Sequence, residues 1–567
     1  MFNFILKKKE YFILCIFAVF FLTTHIAGLH IPYHQDEYKW PQYANPAISA
    51  PGVVPHPPLT EFIYRVIGHA IGYDNFRFIP FFFGILNLFL IFYLARIIFN
   101  KKVALWTTFF FTFSYYSLLA SLMVDVDGAI MPFFLLIMLI GYYKWKENNF
   151  AFHRTNFKSW IWLCIILIGA VGGFLIKVIT ALPILALAID FGLEKDLFSN
   201  KKKILVSLLY GLVGAIGLVL ILVLAKFVFP FFNLGAALKY WEHFINFGQR
   251  AWFQIFIQFA KSILFSSPLL IVPVYFIDKE IFKKVRPLII FIFLELFVYL
   301  IVFDFSAGAL DRYFQFLIVP LCIIVASIYA KYFTFNRKDI RKKEVILISI
   351  AGVGIFLIQF INHFVPSLYP KSAWVSRVLS LKWNFLYVFS GGSGPFPFYV
   401  SFAFIAGCWI LSVILVALCI RKGNFKSTAL LGILVIGVLY NMVFMEEYLF
   451  GKINGSSTQL LASALVFIKN DPDIKKVVVY NDNGGYEIQE LGKYDKRLYT
   501  SPEFDVNEKI VGLNTHKDFY FELNIPRIDP ASVYRKYLDS CVVIYSQTDH
   551  YISAIVYDCR NAPAVSL

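Results

Sequence analysis

Residues 77–106 read RFIPFFFGILNLFLIFYLARIIFNKKVALW, and the fold class follows from them. From Phe78 to Phe99 the run is apolar apart from Asn87 and Arg96. Its length matches the roughly 20 residues a helix needs to cross the hydrocarbon core of a bilayer. Asn100, Lys101 and Lys102 interrupt the run, and a second apolar stretch begins at Val103. Paired lysines between two such runs mark a short polar turn outside the hydrocarbon, so the stretch reads as two membrane helices joined at one face. The pattern repeats in both directions. Spans are expected near 11–29, 78–99, 103–121, 128–143, 159–176, 178–193, 204–227, 263–277, 287–303, 313–332, 345–364, 398–420 and 427–445, about 13 in all. The first begins like a signal peptide, with Lys7, Lys8 and Lys9 before an apolar run. That run is longer than a typical h-region and no small-residue cleavage site follows, so it reads as an uncleaved helix.

Composition agrees with this reading. The chain has 567 residues, 59% hydrophobic and 16% charged, with a mean hydropathy of +0.68; a soluble domain is about 25% charged. The expected fold class is an α-helical polytopic membrane protein. A formal charge of +16 in a soluble chain would point to nucleic acid. Its distribution excludes that partner, because Lys and Arg outnumber Asp and Glu by 39 to 20 over residues 1–446 but number 13 against 16 over 447–567. The basic excess sits in short loops between spans, where it sets orientation. With the N-terminus inside, 27 basic residues of 1–446 lie inside and 12 outside. An odd number of spans then puts the C-terminal segment outside, in a cell (plasma or inner) membrane.

Two domains are expected: a transmembrane domain over 1–446, with a first outer loop at 30–75, and an outer α/β domain over 447–567. In the latter, STQLLASALVFIKN (457–470) has helical periodicity, KKVVVY (475–480) reads as a strand, and NDNGG (481–485) reads as an ordinary turn because it lacks GxGxxG spacing. CVVIYS and YISAIVY form a candidate hairpin near Cys541 and Cys559, which pair if this segment lies in an oxidising compartment. The segment 365–389, with Trp, Lys and Arg among apolar residues, reads either as an interfacial helix that admits a lipid or as a connector.

The outer segments hold the residues that carry chemistry. HIPYHQDEYKW (30–40) places Asp36 and Glu37, beside His34, just past the first helix. Downstream come His56-Pro57-Pro58-Leu59, then Arg77 opening the second span, then SLMVDVDGAIMPFF (121–134) with Asp125 and Asp127. GGFLIKVITALPILAL (172–187) contains Lys177, and DRYFQFLIVPLCII (311–324) contains Arg312, Tyr313 and Pro320. In this order, over residues 1–320 or so, the motifs resemble those of the GT-C superfamily of membrane glycosyltransferases, particularly the protein O-mannosyltransferases and the aminoarabinose transferase that modifies lipid A. YWEHFINFGQRAW (240–252) adds a looser match through Glu242, His243 and Arg250. One departure is His56, which stands where many relatives have Lys.

The resemblance implies transfer of a sugar from a polyprenyl phosphate or diphosphate carrier, held by the bilayer, to an extracytoplasmic acceptor that is a protein, lipid or glycan. It implies Asp36 and Glu37 as the catalytic pair, and Lys177, Arg312, Tyr313, Arg77 and His56 around the donor phosphate. Asp125, Asp127, Glu242, His243 and Arg250 are implied to contact sugar or acceptor, or to serve structure. A departing phosphate needs fixed cations, and one base with no enzyme nucleophile implies inversion at the anomeric carbon. His34, Asp36 and Asp127 include groups that bind divalent metals, but no ligand spacing is diagnostic, so no cofactor is assigned. The competing class is a transporter or flippase, which predicts ionisable residues at mid-membrane and repeated halves; these candidates gather instead at outer helix ends. Orientation is testable with alkaline phosphatase, which is active only outside the cytoplasm. Fusion after residue 446 is expected to be active and fusion after Lys102 inactive; the reverse pattern would overturn the topology.

Overall fold

The computed structural model describes residues 9–44, 56–150, 157–244, 250–303, 310–333, 342–367, 371–389, 395–421, 425–495 and 506–565. The protein is a multi-pass, predominantly helical membrane protein. Among the described residues, nine helices are long and apolar enough to cross a membrane. Lys101–Thr112 and Tyr115–Leu122, bent by 67°, make a tenth if they form one span. The other three expected spans also coincide with helices. Ala181–Glu194 has 14 residues and Ile318–Tyr332 has 15, while Ile130–Glu147 carries Lys144, Lys146 and Glu147 in its last turn. The count of 13 therefore is not reached by length and composition, because apolar runs read as continuous in the sequence are shorter or end in charge.

The chain divides into two compact units. The first comprises Met1–Leu29, Trp40–Asp339 and Cys419–Ile433. Its best-defined feature is the antiparallel pair Ile130–Glu147 and Phe157–Ile176. Lipid tails are as apolar as leucine, so membrane helices associate by close packing over small residues rather than by hydrophobic exclusion. Gly169 shows this. A Cβ there would lie 2.5 Å from the Met138 backbone nitrogen, so any larger residue would push the helices apart. At their far ends, buried Asp190 binds Lys146 Nζ at 2.8 Å, Arg286 Nε at 2.5 Å and the Tyr142 hydroxyl at 2.5 Å. That network ties Ile130–Glu147 to Ala181–Glu194 and Lys279–Phe297. Ile130–Glu147 is thus anchored at its C-terminal end, and its close packing on Phe157–Ile176 determines what meets at the other end.

The second unit comprises His30–Lys39, Ile340–Leu418 and Leu434–Leu567. Its C-terminal part holds a five-stranded sheet in the order Tyr494–Asp495, Val477–Val479, Phe519–Leu523, Ile552–Asp558, Val542–Asp549. The first three strands are parallel and the last two complete an antiparallel edge. Val477–Val479 and Phe519–Leu523 are buried throughout, as parallel strands covered on both faces must be. Helix Ser457–Asn470 starts where Ser456 Oγ accepts the Gln459 amide, an N-cap of the usual kind. The last two strands form the expected hairpin, and the Cys541–Cys559 disulfide closes its open end. Residues 365–389 divide into helix Lys371–Leu379 and strand Leu386–Phe389, the latter paired with Phe398–Ser401.

Candidate active site

Helix Ile130–Glu147 begins just after Asp125-Val126-Asp127, and its partner Phe157–Ile176 ends just before Lys177. Packing the pair through Gly169 therefore brings Lys177 to Asp127, across 50 residues of sequence. Lys177 Nζ donates to Asp127 Oδ1. Burial pushes the Lys177 ammonium below its ordinary pKa, and Asp127 opposes that shift. Arg312, from the short helix Leu310–Tyr313, reaches the same place. Its Nη1 lies 2.6 Å from Asp125 Oδ2, and its Nε lies 3.6 Å from Asp127 Oδ2. Two cations and two carboxylates thus share one buried cluster, with Asp127 between the cations.

Aromatic groups enclose the cluster. The Lys177 ammonium sits 3.9 Å from the Tyr313 ring centroid, a cation–π contact, and Arg312 Nη2 donates to the Tyr313 hydroxyl at 2.9 Å. Tyr299 stacks on Tyr313 with centroids 5.4 Å apart. On the other side Trp40 Nε1 donates to Asp125 Oδ1 at 3.3 Å. His56 is buried with its ring 6.3 Å from Trp40 and 5.6 Å from Tyr240. Asp125, Asp127, Lys177, Arg312 and Tyr313 therefore converge, and His56 joins through Trp40. Arg77 is also buried, but its Nη1 donates to the Leu122 carbonyl at 2.6 Å, linking the second span to the bent helix.

The looser matches stand apart. Glu242 is exposed on helix Leu234–Phe244, and the His243 side chain lies outside the described residues. Arg250 donates to the Ile301 and Val302 carbonyls at the end of a π-helical turn, Val298–Val302, where a cation satisfies carbonyls the helix leaves open. Two residues absent from the sequence reading belong here. Trp40 closes the quoted first-loop motif, and Glu295 is fully buried within electrostatic reach of Lys177 and Asp127. Neither carboxyl oxygen of Glu295 has a hydrogen-bond partner among the described residues. An acid inside an apolar span is itself the sequence signal that would have found it.

The acidic pair belongs to the second unit. Gln35–Glu37 forms a single 3-10 turn that separates the roles of the two acids. Glu37 is buried and accepts the His34 amide at 3.0 Å, fixing the turn. Asp36 is partly exposed, 23% by side chain, and its Oδ1 lies 2.9 Å from Lys39 Nζ. The arrangement gives Glu37 a structural bond and leaves Asp36 the more accessible acid. Among the described residues, no three His, Cys, Asp or Glu side chains form a metal-binding group.

The family model for dolichyl-phosphate-mannose-protein mannosyltransferases matches residues 55–225, which include His56, Arg77, Asp125, Asp127 and Lys177. The whole chain is similar in fold to ArnT from Cupriavidus metallidurans. The structure of that protein bound to undecaprenyl phosphate is 13% identical, with 96% of this chain and 98% of that one covered, at a TM-score of 0.51. Its apo structure gives the same identity and coverage at 0.52. An oligosaccharyltransferase from Archaeoglobus fulgidus in the apo form is 12% identical over 91% of this chain and 70% of its own, at 0.39. No curated protein matches the sequence. The chain has a GT-C-like fold and resembles the O-mannosyltransferase and aminoarabinose transferase families, and the family model and shared fold together indicate a glycosyltransferase.

The buried cluster has a testable energetic signature. Replacing Arg312 with Leu leaves Asp125 and Asp127 with one cation, which costs about 3–5 kcal/mol when a buried pair is broken. Thermal unfolding in detergent is expected to show this loss, and Asp125→Leu/Arg312→Leu to recover most of it. A single variant as stable as wild type would show that the pair is not buried in the folded protein.

Proposed function

We propose that this chain is an inverting glycosyltransferase that moves a sugar from a polyprenyl-phosphate or diphosphate carrier to an acceptor on the extracytoplasmic face. Residues 1–446 form the transferase domain and 447–567 an outer α/β domain. The observation that carries this reading is the meeting of Lys177 and Arg312 beside Asp125 and Asp127, from segments far apart in sequence. Two cations in a poorly solvated place recognise an anionic group strongly, and a lipid phosphate at the membrane boundary is such a group. Those cations hold the leaving phosphate, and Tyr313, Arg77 and His56 support that site.

In the transfer step the acceptor hydroxyl oxygen forms a bond to the anomeric carbon as the carbon–oxygen bond to phosphate breaks. The bonding pair leaves on the phosphate oxygen, whose developing charge Lys177 and Arg312 stabilise. The acceptor proton passes to the Asp36 carboxylate, the general base. Glu37 keeps the turn in shape, and the Lys39 ammonium lies beside Asp36. Asp125 and Asp127 hold the cations in place before the donor arrives.

Transfer of radiolabelled sugar from a panel of polyprenyl-phosphate sugars, in membranes with matched expression, tests this reading. Asp36→Asn is expected to lose at least 100-fold in rate, the lower range for a general base. Equal rates in wild type and Asp36→Asn would remove Asp36 from the base role.

A further inference from the structure

The turn at 481–485, expected to be ordinary, is not. Asn481 and Asp482 hold φ of +53° and +57°, a left-handed conformation that non-glycine residues seldom adopt, and two in succession are rarer. The side chains of Asn481, Asp482 and Asn483 are fully buried. The Tyr494 hydroxyl donates to Asp482 Oδ1 at 2.6 Å, and Asn483 Nδ2 donates to the Ile525 carbonyl at 2.6 Å. A Cβ at Gly485 would lie 2.2 Å from Asp482 Oδ1, so a larger residue there would displace the Asp482 carboxylate. The sheet thus holds the turn in a costly shape, and such strain persists where surrounding structure over-determines it.

What the turn presents is the helix Gly485–Glu490, and this helix meets the acidic segment His30–Lys39 within the same unit. Glu487 Oε1 accepts the Tyr33 backbone amide at 3.1 Å. The Tyr486 ring lies edge-on to Tyr33 at 5.0 Å and tilted against Tyr38 at 6.4 Å. Tyr33, Tyr38 and Tyr486 are all buried. Tyr33 and Tyr38 stand on either side of Asp36, in a segment whose regular structure is one 3-10 turn. A single turn does not hold a side chain to catalytic tolerance, so the anchors must come from elsewhere.

We infer that the outer domain is a working part of the transferase: Glu487 and Tyr486, set by the 481–485 turn, are positioning residues that hold the Tyr33–Tyr38 segment and so aim Asp36. Glu487 acts through the Tyr33 amide and touches no reacting atom. The inference rests on the reading of Asp36 as base. It assigns the C-terminal domain a role in catalysis rather than one of covering the membrane surface.

Hydrogen–deuterium exchange on the full chain in nanodiscs reads the anchor without any substrate. Glu487→Met fills similar volume without an acceptor, and Glu487→Gln keeps a carbonyl oxygen for the Tyr33 amide. In Glu487→Met, peptides covering 30–39 are expected to exchange about tenfold faster, the change that one lost hydrogen bond produces. Strand Val477–Val479 is expected to stay protected, which shows that the domain has folded. Glu487→Gln is expected to restore protection and, with the donor active in the panel above, the wild-type pH profile. Glu487→Met is expected to lower kcat about tenfold with the donor KM unchanged. Unaltered exchange at 30–39 in Glu487→Met would overturn the inference. So would a Glu487→Gln protein that is protected but inactive, since Glu487 would then act as an acid or base itself. If Asp36→Asn keeps full activity while Glu487→Met still opens the segment, the base assignment fails and the anchor stands.

Discussion

A largely buried lysine keeps its charge best with an acid beside it, and the glycine-lined crossing of Ile130–Glu147 with Phe157–Ile176 supplies one for Lys177. The rest of the first unit's site depends on that meeting. Close approach at Gly169 sets the register of the two helices, and register decides that the end of one, Lys177, lands on the start of the other, Asp127. Arg312 completes the charge balance through Asp125 and Asp127, and Tyr313 faces both cations. At the opposite end of Ile130–Glu147, Asp190 with Lys146 and Arg286 anchors that helix to Ala181–Glu194 and Lys279–Phe297. Both clusters join segments that the chain brings together only by packing, so each reports on the register as well as on local charge.

The cation cluster also has the logic of a site kept ready. Each cation already has a carboxylate partner, which avoids the large cost of an isolated buried charge. Asp127 stands between the two, so in the proposed reaction the donor phosphate would share the cations with groups already ordered. Preorganised charge of this kind needs little rearrangement when negative charge develops, and that is where electrostatic catalysis gains most. Glu295, buried nearby, is a further acid that the sequence motifs do not include.

Much of this was legible in the sequence because membrane constraints write strong signals. Apolar runs of span length, with lysines at their ends, located every helix expected to cross the bilayer, although Ile130–Glu147, Ala181–Glu194 and Ile318–Tyr332 proved shorter or more charged than a full span. The order of Asp125–Asp127, Lys177 and Arg312 was enough to nominate residues that converge, since motifs on successive helix ends at one face are neighbours in space. Roles were harder to read. Arg77 and Arg250 proved to bind backbone carbonyls, which depends on where neighbouring helices end. The adjacent Asp36 and Glu37 look equivalent as letters, and the one turn that contains them makes them different. The NDNGG segment carried no period or spacing that distinguishes a strained, buried turn from a solvated one. Only its burial and its bonds to Tyr494 and the Ile525 carbonyl do so.

The most direct test of the cation cluster is the affinity of the purified protein for undecaprenyl phosphate, compared between wild type and Lys177→Gln by native mass spectrometry. A charge-assisted contact to phosphate contributes about 1.5–3 kcal/mol, so binding at least tenfold weaker in Lys177→Gln is expected, with thermal stability recorded to confirm folding. Equal affinity in a folded variant would contradict the assignment of Lys177 to the lipid phosphate and, with it, the function built on that cluster.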